Sequence, residues 1–417
     1  MIKSRSLVVM KQKGFMEFIK YKKNKIYTKY EKRFNINIFT PYLLKFCKPL
    51  NDDYKFIVLM YGASGHWALE TFLSYCGIDG FKLFEDNYCF YKNFKTFNKK
   101  DYYLEIVLFN RKKPTYKSIN RILDENKPLL ILTRDPISRL KTNINHGGRI
   151  PENCFEGDGL KNFHLYDKNI KDNLDRIRYM DKNGHIKSKN PDLFSLYFLI
   201  DDMGFNYFSN TNLLKNKSVF YIDTKELSEE NAFSTIKKLS KQFNFNEPNE
   251  NIKHKFEQKV WNEFIYFLPY RLVIKDKILL IISDENRVFL DGEEYDQIRS
   301  NLIDIKVNLI NNQHKLFKKI SINMQKQDWK NIKNDEKLIN ELKQYLEEFL
   351  IILDEKVNER KCNQIKEDDV LDFFKEHKDV RNKLKNILDY ELQHIKQTRP
   401  DIIDSWNYYK KFEALFK

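Results

Sequence analysis

Two shortages narrow the possibilities first. The 417 residues hold five cysteines, Cys47, Cys76, Cys89, Cys154 and Cys362, with no C-x-x-C pair and no histidine at metal-ligand spacing. Such scatter argues against a structural zinc site and fits thiols kept reduced in a cytosol. No apolar run reaches the roughly 18 residues a membrane-spanning helix needs; residues 277–283, KILLIIS, are far too few. The opening MIKSRSLVVMKQKGF begins basic, but its apolar patch stops before Lys11 and Lys13, so a secretory leader is not expected. No repeat of fixed period is evident. These absences lead to the expectation of a cytoplasmic enzyme.

What is abundant is charge and aromatic surface. Charged residues make up 32% and aromatic residues 15%, enough apolar material to bury a core despite the charge. The net charge of +15 would suggest a nucleic-acid partner if it were spread evenly. It is not: residues 1–50 contain 13 Lys or Arg against 2 Glu, so +11 lies there and only +4 is left for the other 367 residues. A basic arm including Lys20-Tyr21-Lys22-Lys23 suits peripheral contact with an anionic surface such as the inner membrane, or an acidic polysaccharide, and equally suits a solvated extension. No nucleic acid is implied.

Two stretches share one design. Leu129-Leu130-Ile131-Leu132 is a strand-length apolar run that stops at Thr133-Arg134-Asp135-Pro136, after which residues 137–145 can open as a helix carrying Ser138, Arg139, Lys141 and Thr142. Earlier, Phe56-Ile57-Val58-Leu59-Met60 is broken by Tyr61-Gly62-Ala63-Ser64-Gly65, and residues 66–76 read as a helix with Trp67, Leu69, Phe72 and Leu73 inward. A strand end, glycines that let main-chain N–H groups approach a ligand, and a helix N-terminus together make an anion site. The glycine bend alone is weak evidence, since many α/β domains carry one that binds nothing.

The pair of stretches resembles the P-loop sulfotransferases, which transfer a sulfuryl group from 3′-phosphoadenosine 5′-phosphosulfate (PAPS). Their loop of type P-K-S-G-T-T-W-L matches Gly62-Ala63-Ser64-Gly65-His66-Trp67-Ala68-Leu69, and their R-[DN]-P-x-x-R-x-x-[ST] motif matches Arg134 through Thr142. Residues 218–245 are similar to a third family segment, a strand ending near an acidic residue and followed by an amphipathic helix. The resemblance covers residues 55–245. Within the family, the uncharacterised DUF2972 group is the looser likeness.

That resemblance implies an α/β fold, a parallel sheet flanked by helices, with a mainly helical C-terminal extension. It implies PAPS as donor substrate, no metal, and a carbohydrate or glycolipid acceptor. Gly62, Ala63, Ser64, Gly65, His66 and Trp67 would hold the 5′ end of the donor, while Arg134, Ser138 and Thr142 would hold the 3′-phosphate. The departures are specific. Ala63 stands where the family has a lysine and His66 where it has a threonine, so another cation (His66, Arg139 or Lys141) must offset leaving-group charge unless activity is lost. Glu70, one residue out of register with the family's glutamate, and His146 are the candidate bases; a lone histidine beside two glycines is also an ordinary surface or capping residue. Two rivals stay open: a nucleotide-sugar-dependent sugar transferase, although no D-x-D motif stands at a strand end, and a non-catalytic binding or assembly protein that keeps the fold.

Along the chain, residues 81–100 read as a loop, 103–109 as a strand, 117–126 as a helix, 151–192 as an irregular loop and 193–208 as one buried helix. Residues 270–290 suggest a hairpin joined through Asp284-Glu285-Asn286, and from Tyr295 onward the pattern is helical. Stripes at Leu338, Leu342, Tyr345, Leu346, Phe349, Leu353 and Val357, and at Val370, Phe374, His377, Val380, Leu384, Ile387 and Leu388, are core seams, His377 being a packed residue. The expected domains are 1–50, 51–250 and 251–417.

Overall fold

The computed structural model describes residues 54–83, 102–108, 123–146, 148–149, 155–156, 159–160, 162–166, 169–175, 177–215, 218–260, 263–275, 278–285 and 301–417. The basic arm, residues 84–100 and the NRVFLDG run lie outside them. By contact the chain divides into two units, and the division is not the expected one at residue 250. The first unit holds the described residues up to Asn143, then Leu196–Lys259 and Glu367–Lys417; the second holds Ile144–Ser195 and Val260–Lys366.

In the first unit the strands are β1 (Tyr54–Tyr61), β2 (Asp79–Leu83), β3 (Tyr102–Leu108), β4 (Leu129–Thr133) and β5 (Val219–Asp223). The α-helices longer than four residues are α1 (His66–Tyr75), α2 (Pro136–Ile144), α3 (Leu196–Asp202), α4 (Tyr207–Leu214), α5 (Ala232–Phe243), α6 (Glu367–Glu376), α7 (Lys378–Glu391), α8 (Gln393–Thr398), α9 (Pro400–Ser405) and α10 (Asn407–Ala414). The sheet is wholly parallel in the order β2-β3-β1-β4-β5. All of β4 and nearly all of β1 is buried, as continuous apolar runs require when helices cover both faces. Phe56 of β1 stacks on Phe243 of α5 at 4.6 Å, tying the central strand to the helix that follows β5.

This architecture agrees with an α/β parallel sheet flanked by helices and a helical C-terminal region. Its local departures have physical causes. The segment read as a loop begins with an edge strand, β2, too short and polar to show a pattern. Of the helix expected at 117–126, only the end is described, and there Asp124 Oδ1 accepts Asn126 N at 2.9 Å to make a turn. The single helix expected at 193–208 is broken: Gly204 takes φ +59°, and a Cβ there would lie 2.7 Å from Asn206 Oδ1.

The second unit carries its own sheet, in the order Leu302–Asp304, Ile320–Gln325, Ile278–Asp284, Tyr270–Ile274, Asn162–His164. Its pairings are antiparallel except the last. Two expectations are corrected here. The hairpin turns at Lys275, with φ +45°, inside what read as one strand, because no glycine or asparagine advertises the bend. The stretch after Tyr295 contains two strands before any long helix. Likewise, the segment at 151–192 contains Asn162–His164, Ile170–Leu174, Ile177–Met180 and Ile186–Ser188 rather than loop alone. The helix Glu336–Cys362 starts where Asp335 accepts Leu338 N at 3.1 Å, and buries the seven-residue stripe read from its sequence. Tyr345 and Phe349 meet Tyr270 of the sheet, the hydroxyls at 2.8 Å and the rings at 4.7 Å.

Candidate functional site

In the first unit, β1 sends its chain towards β2 and β3 on one side, while β4, its other neighbour, sends its chain towards β5 on the opposite side. A crevice opens where such connections diverge, outside the carboxyl ends of the two strands. Both stretches singled out in the sequence lie there. The bend after β1 and the turn after β4 are thus adjacent by topology.

Side chains from the neighbouring turns seize the bend through three consecutive carbonyls. Arg139 Nε donates to Gly62 O at 2.8 Å, Arg134 Nη1 to Ala63 O at 2.9 Å, and Thr224 Oγ1 lies 2.8 Å from Ser64 O and 2.9 Å from Thr133 O. Because a planar trans peptide points its C=O and the next N–H oppositely, fixing the carbonyls of Gly62 and Ser64 turns the N–H groups of Ala63 and Gly65 the other way. Those two amides make no hydrogen bond among the described residues. Ala63 and Gly65 both adopt left-handed backbone, φ +61° and +86°. A Cβ on Gly65 would sit 3.0 Å from Thr224 Cγ2, so the close approach of the β5 turn requires glycine. Gly65 also precedes α1, which therefore starts without a side-chain cap.

The two arginines of the second motif differ in kind. Arg139 is fully buried, donating also to Gly204 O at 2.8 Å and Met203 O at 2.6 Å, with its guanidinium 4.7 Å from the Phe205 ring centroid. It binds protein, so it is removed from the cations expected to meet a leaving group. Arg134 is half-buried, forms one hydrogen bond, to Ala63 O, and makes no ion pair among the described residues. Burial lowers its pKa, and Glu367, Asp223 and Asp135 oppose that at longer range.

The remaining expected residues are distributed as follows. Ser138 Oγ donates to Glu367 Oε1 at 3.1 Å, and Lys141 Nζ lies 3.1 Å from the same oxygen. Thr142 is half-buried on α2. Ser64 is buried, and its Oγ has no hydrogen-bond partner among the described residues. His66 opens α1 with its ring 5.4 Å from that of Trp67. Glu70 is half-buried on α1, close enough to help burial and Glu105 raise the pKa of the Tyr103 hydroxyl. His146 falls in the second unit, exposed, with Nδ1 3.4 Å from Tyr266 Oη. Among the described residues no cluster of three or more His, Cys, Asp or Glu could hold a metal ion, and no helix is long and apolar enough to cross a membrane.

Sequence reasoning missed what fastens the C-terminal segment to this end of the sheet. Asp135 accepts Ile137 N at 2.9 Å through Oδ1, capping α2, and accepts Tyr408 N and Tyr409 N at 3.0 and 3.1 Å through Oδ2, capping α10. Asp223, at the end of β5, accepts Trp406 Nε1 at 2.7 Å. Burial pushes both carboxyls above the usual carboxylate range, against the pull of the N–H groups they accept. The signal available was Asp135 before Pro136, a helix-capping pair; its second partner could not be read.

Residues 221–417 match the model of a family described as "Protein of unknown function (DUF2972)". The match accords with the looser likeness stated for the sequence. The matched residues include Thr224, which holds the bend and the end of β4, Tyr408 and Tyr409, which bond Asp135, and Asp223, Trp406 and Glu367. No curated protein and no solved structure matches the chain.

Proposed function

We propose that the first unit binds a phosphorylated nucleotide at the ends of β1 and β4, as a sulfotransferase-like transferase moving a sulfuryl group from PAPS to a carbohydrate hydroxyl. The observation that carries this reading is the 2.9 Å bond from Arg134 Nη1 to Ala63 O, which puts the cation of one motif against the glycine bend of the other at a topological switch point. One nucleotide can touch both. The bend from Gly62 to Trp67 would receive the 5′-phosphosulfate, on amides already turned outward; Arg134, with Ser138 and Thr142, would receive the 3′-phosphate.

In the transfer, the acceptor oxygen forms a bond to sulfur as the bond from sulfur to the bridging oxygen breaks, that electron pair leaving with the nucleotide phosphate. The acceptor's proton goes to a base, for which Glu70 is the candidate in the same unit. His66, at the start of α1 beside the bend that lacks the family's lysine, offsets the leaving charge. Carbohydrate, in the setting of surface-polysaccharide modification, is the acceptor class that the resemblance supplies.

A second reading, a non-catalytic binding protein, is favoured by Ala63 itself, since the bend carries no charged side chain between Gly62 and Gly65. Thermal shift separates the readings. Stabilisation by 3′-phosphoadenosine 5′-phosphate that Arg134→Ala abolishes supports the first; a shift with UDP-sugars alone supports sugar transfer; silence with both leaves the binding protein.

A further inference from the structure

The first turns of α2 present an anion site that is already filled from within the chain. Ser138 and Lys141, one helical turn apart, both meet a single oxygen, Glu367 Oε1, each at 3.1 Å. Arg134, two residues before the helix, has Glu367 as the foremost of the charges acting on it, with no carboxylate in ion-pair contact. One cation and one hydroxyl therefore meet a single carboxylate oxygen, with Arg134 nearby and bonded instead to Ala63 O. Glu367 is the first residue of α6, and α6 belongs to the segment whose far end is fastened by Asp135 and Asp223. A further tie, Lys411 Nζ to Asp368 Oδ1 at 2.8 Å, joins α10 to the same turn of α6.

We propose that Glu367 is a resident competitor for the second phosphate of the nucleotide: its carboxylate occupies Ser138 and Lys141, and a phosphate binds there only by displacing it. The inference rests on the nucleotide reading above and adds what governs discrimination. A phosphate oxygen seated on Ser138 would lie beside Glu367 Oε1, and like charges at that range repel. A nucleotide phosphorylated only at its 5′ end avoids the conflict; one phosphorylated at both ends must break two contacts of Glu367. Displacement also frees the N-terminus of α6, so bisphosphate binding and the seating of the C-terminal segment are coupled.

The test is calorimetric titration of the full chain with 3′-phosphoadenosine 5′-phosphate and, separately, with adenosine 5′-phosphate, for wild type, Glu367→Gln and Glu367→Ala. Glutamine keeps the size and removes the charge, and the alanine variant serves if the amide side chain holds the two donors as the carboxylate did. The expected result is at least a tenfold tighter Kd for the bisphosphate in the variants, with the 5′-monophosphate changed by less than twofold. Equal bisphosphate affinity in all three proteins overturns the role of Glu367 and leaves the nucleotide reading intact, as does an equal gain for both nucleotides. Binding of neither nucleotide to any of the three overturns both.

Discussion

The carboxylate of Asp135 accepts the main-chain N–H of Tyr409 at 3.1 Å, joining the turn after strand β4 to a helix start 274 residues later in the chain. With Tyr408 N and Ile137 N on the same side chain, one buried carboxylate serves the N-termini of both α2 and α10. A single helix cap is worth about 0.5–2 kcal/mol, and stranding a buried donor costs about 1–3 kcal/mol more. Asp135→Ala is therefore expected to destabilise the protein by about 3 kcal/mol, and Asp135→Asn, which keeps one acceptor oxygen, by about half as much on the same scale. Chemical denaturation monitored by tryptophan fluorescence checks both; Trp406 is buried beside this contact. Equal losses for the two variants would show that only one of the two caps matters.

Arg139 sets the shape of the bend without facing a ligand. Its removal strands the carbonyls of Gly62, Met203 and Gly204 inside the protein. Leaving one buried acceptor unsatisfied costs about 1–3 kcal/mol, so stranding three together sets an expectation of at least about 3 kcal/mol for Arg139→Ala. Arg139→Lys, with a point charge in place of the planar fork, recovers only part of it. Arg134→Ala, by contrast, removes one hydrogen bond from a half-buried side chain and is expected to cost about 1 kcal/mol while abolishing nucleotide binding. Melting curves read beside nucleotide titrations distinguish the two arginines.

That contrast marks the limit of what the residues reveal. The strands β1 and β4, the bend and the capped start of α2 are legible because each rests on a local pattern: an apolar run, glycine pairs, a proline at the first helical position. The stripe from Leu338 to Val357 is legible for the same reason. Arg134 and Arg139 are five residues apart in one motif and look alike as anion ligands; only the closure of Met203 and Gly204 over Arg139 makes it structural. The tie from Asp135 to Tyr409 and the seat of Glu367 on Ser138 are contacts between distant segments, for which one chain offers no rule. His377 was legible as packing: its ring stacks on Phe373 at 4.0 Å between α6 and α7.

Two thiols should differ sharply in reactivity. Cys76, at the end of α1, is buried, and burial pushes its thiol up to about 11, so little thiolate exists near neutrality. Cys362 is exposed at the end of the helix Glu336–Cys362. At pH 8, iodoacetamide followed by peptide mass spectrometry is expected to label Cys362 at least tenfold faster than Cys76, as a thiolate fraction set by burial and access requires. Comparable rates would mean that α1 opens readily.

In the second unit, Asp181 closes a turn by accepting the main-chain N–H groups of His185 and Asn183, each at 2.9 Å. Those bonds, the His185 one foremost, and the nearby Lys187 pull its carboxyl down to about 2. A carboxyl whose folded value lies below its unfolded one, about 3.9, stabilises above the unfolded value and loses that contribution as pH falls towards the folded one. The window is thus roughly pH 4 down to 2. Carboxyl-carbon NMR titration should give a midpoint about two units below an ordinary aspartate, and Asp181→Asn should flatten the stability profile in that window alone. A midpoint near 4 would mean that the turn is not held in solution.

The last expectation concerns the missing lysine. Ala63 is half-exposed, and its carbonyl is already committed to Arg134, so a longer side chain at this position leaves that bond in place. An ammonium added at the bend supplies a charge-assisted hydrogen bond, typically about 1.5–3 kcal/mol, part of which goes to ordering a flexible side chain at left-handed backbone. Ala63→Lys should accordingly tighten binding of 3′-phosphoadenosine 5′-phosphate by about tenfold, a 1.4 kcal/mol gain. Ala63→Met, matched in length and without charge, should not. Isothermal titration of the two variants against wild type checks the pair: if lysine and methionine behave alike, the side chain of residue 63 does not face phosphate, and the alignment of this bend with a phosphate loop fails even though the sheet around it stands.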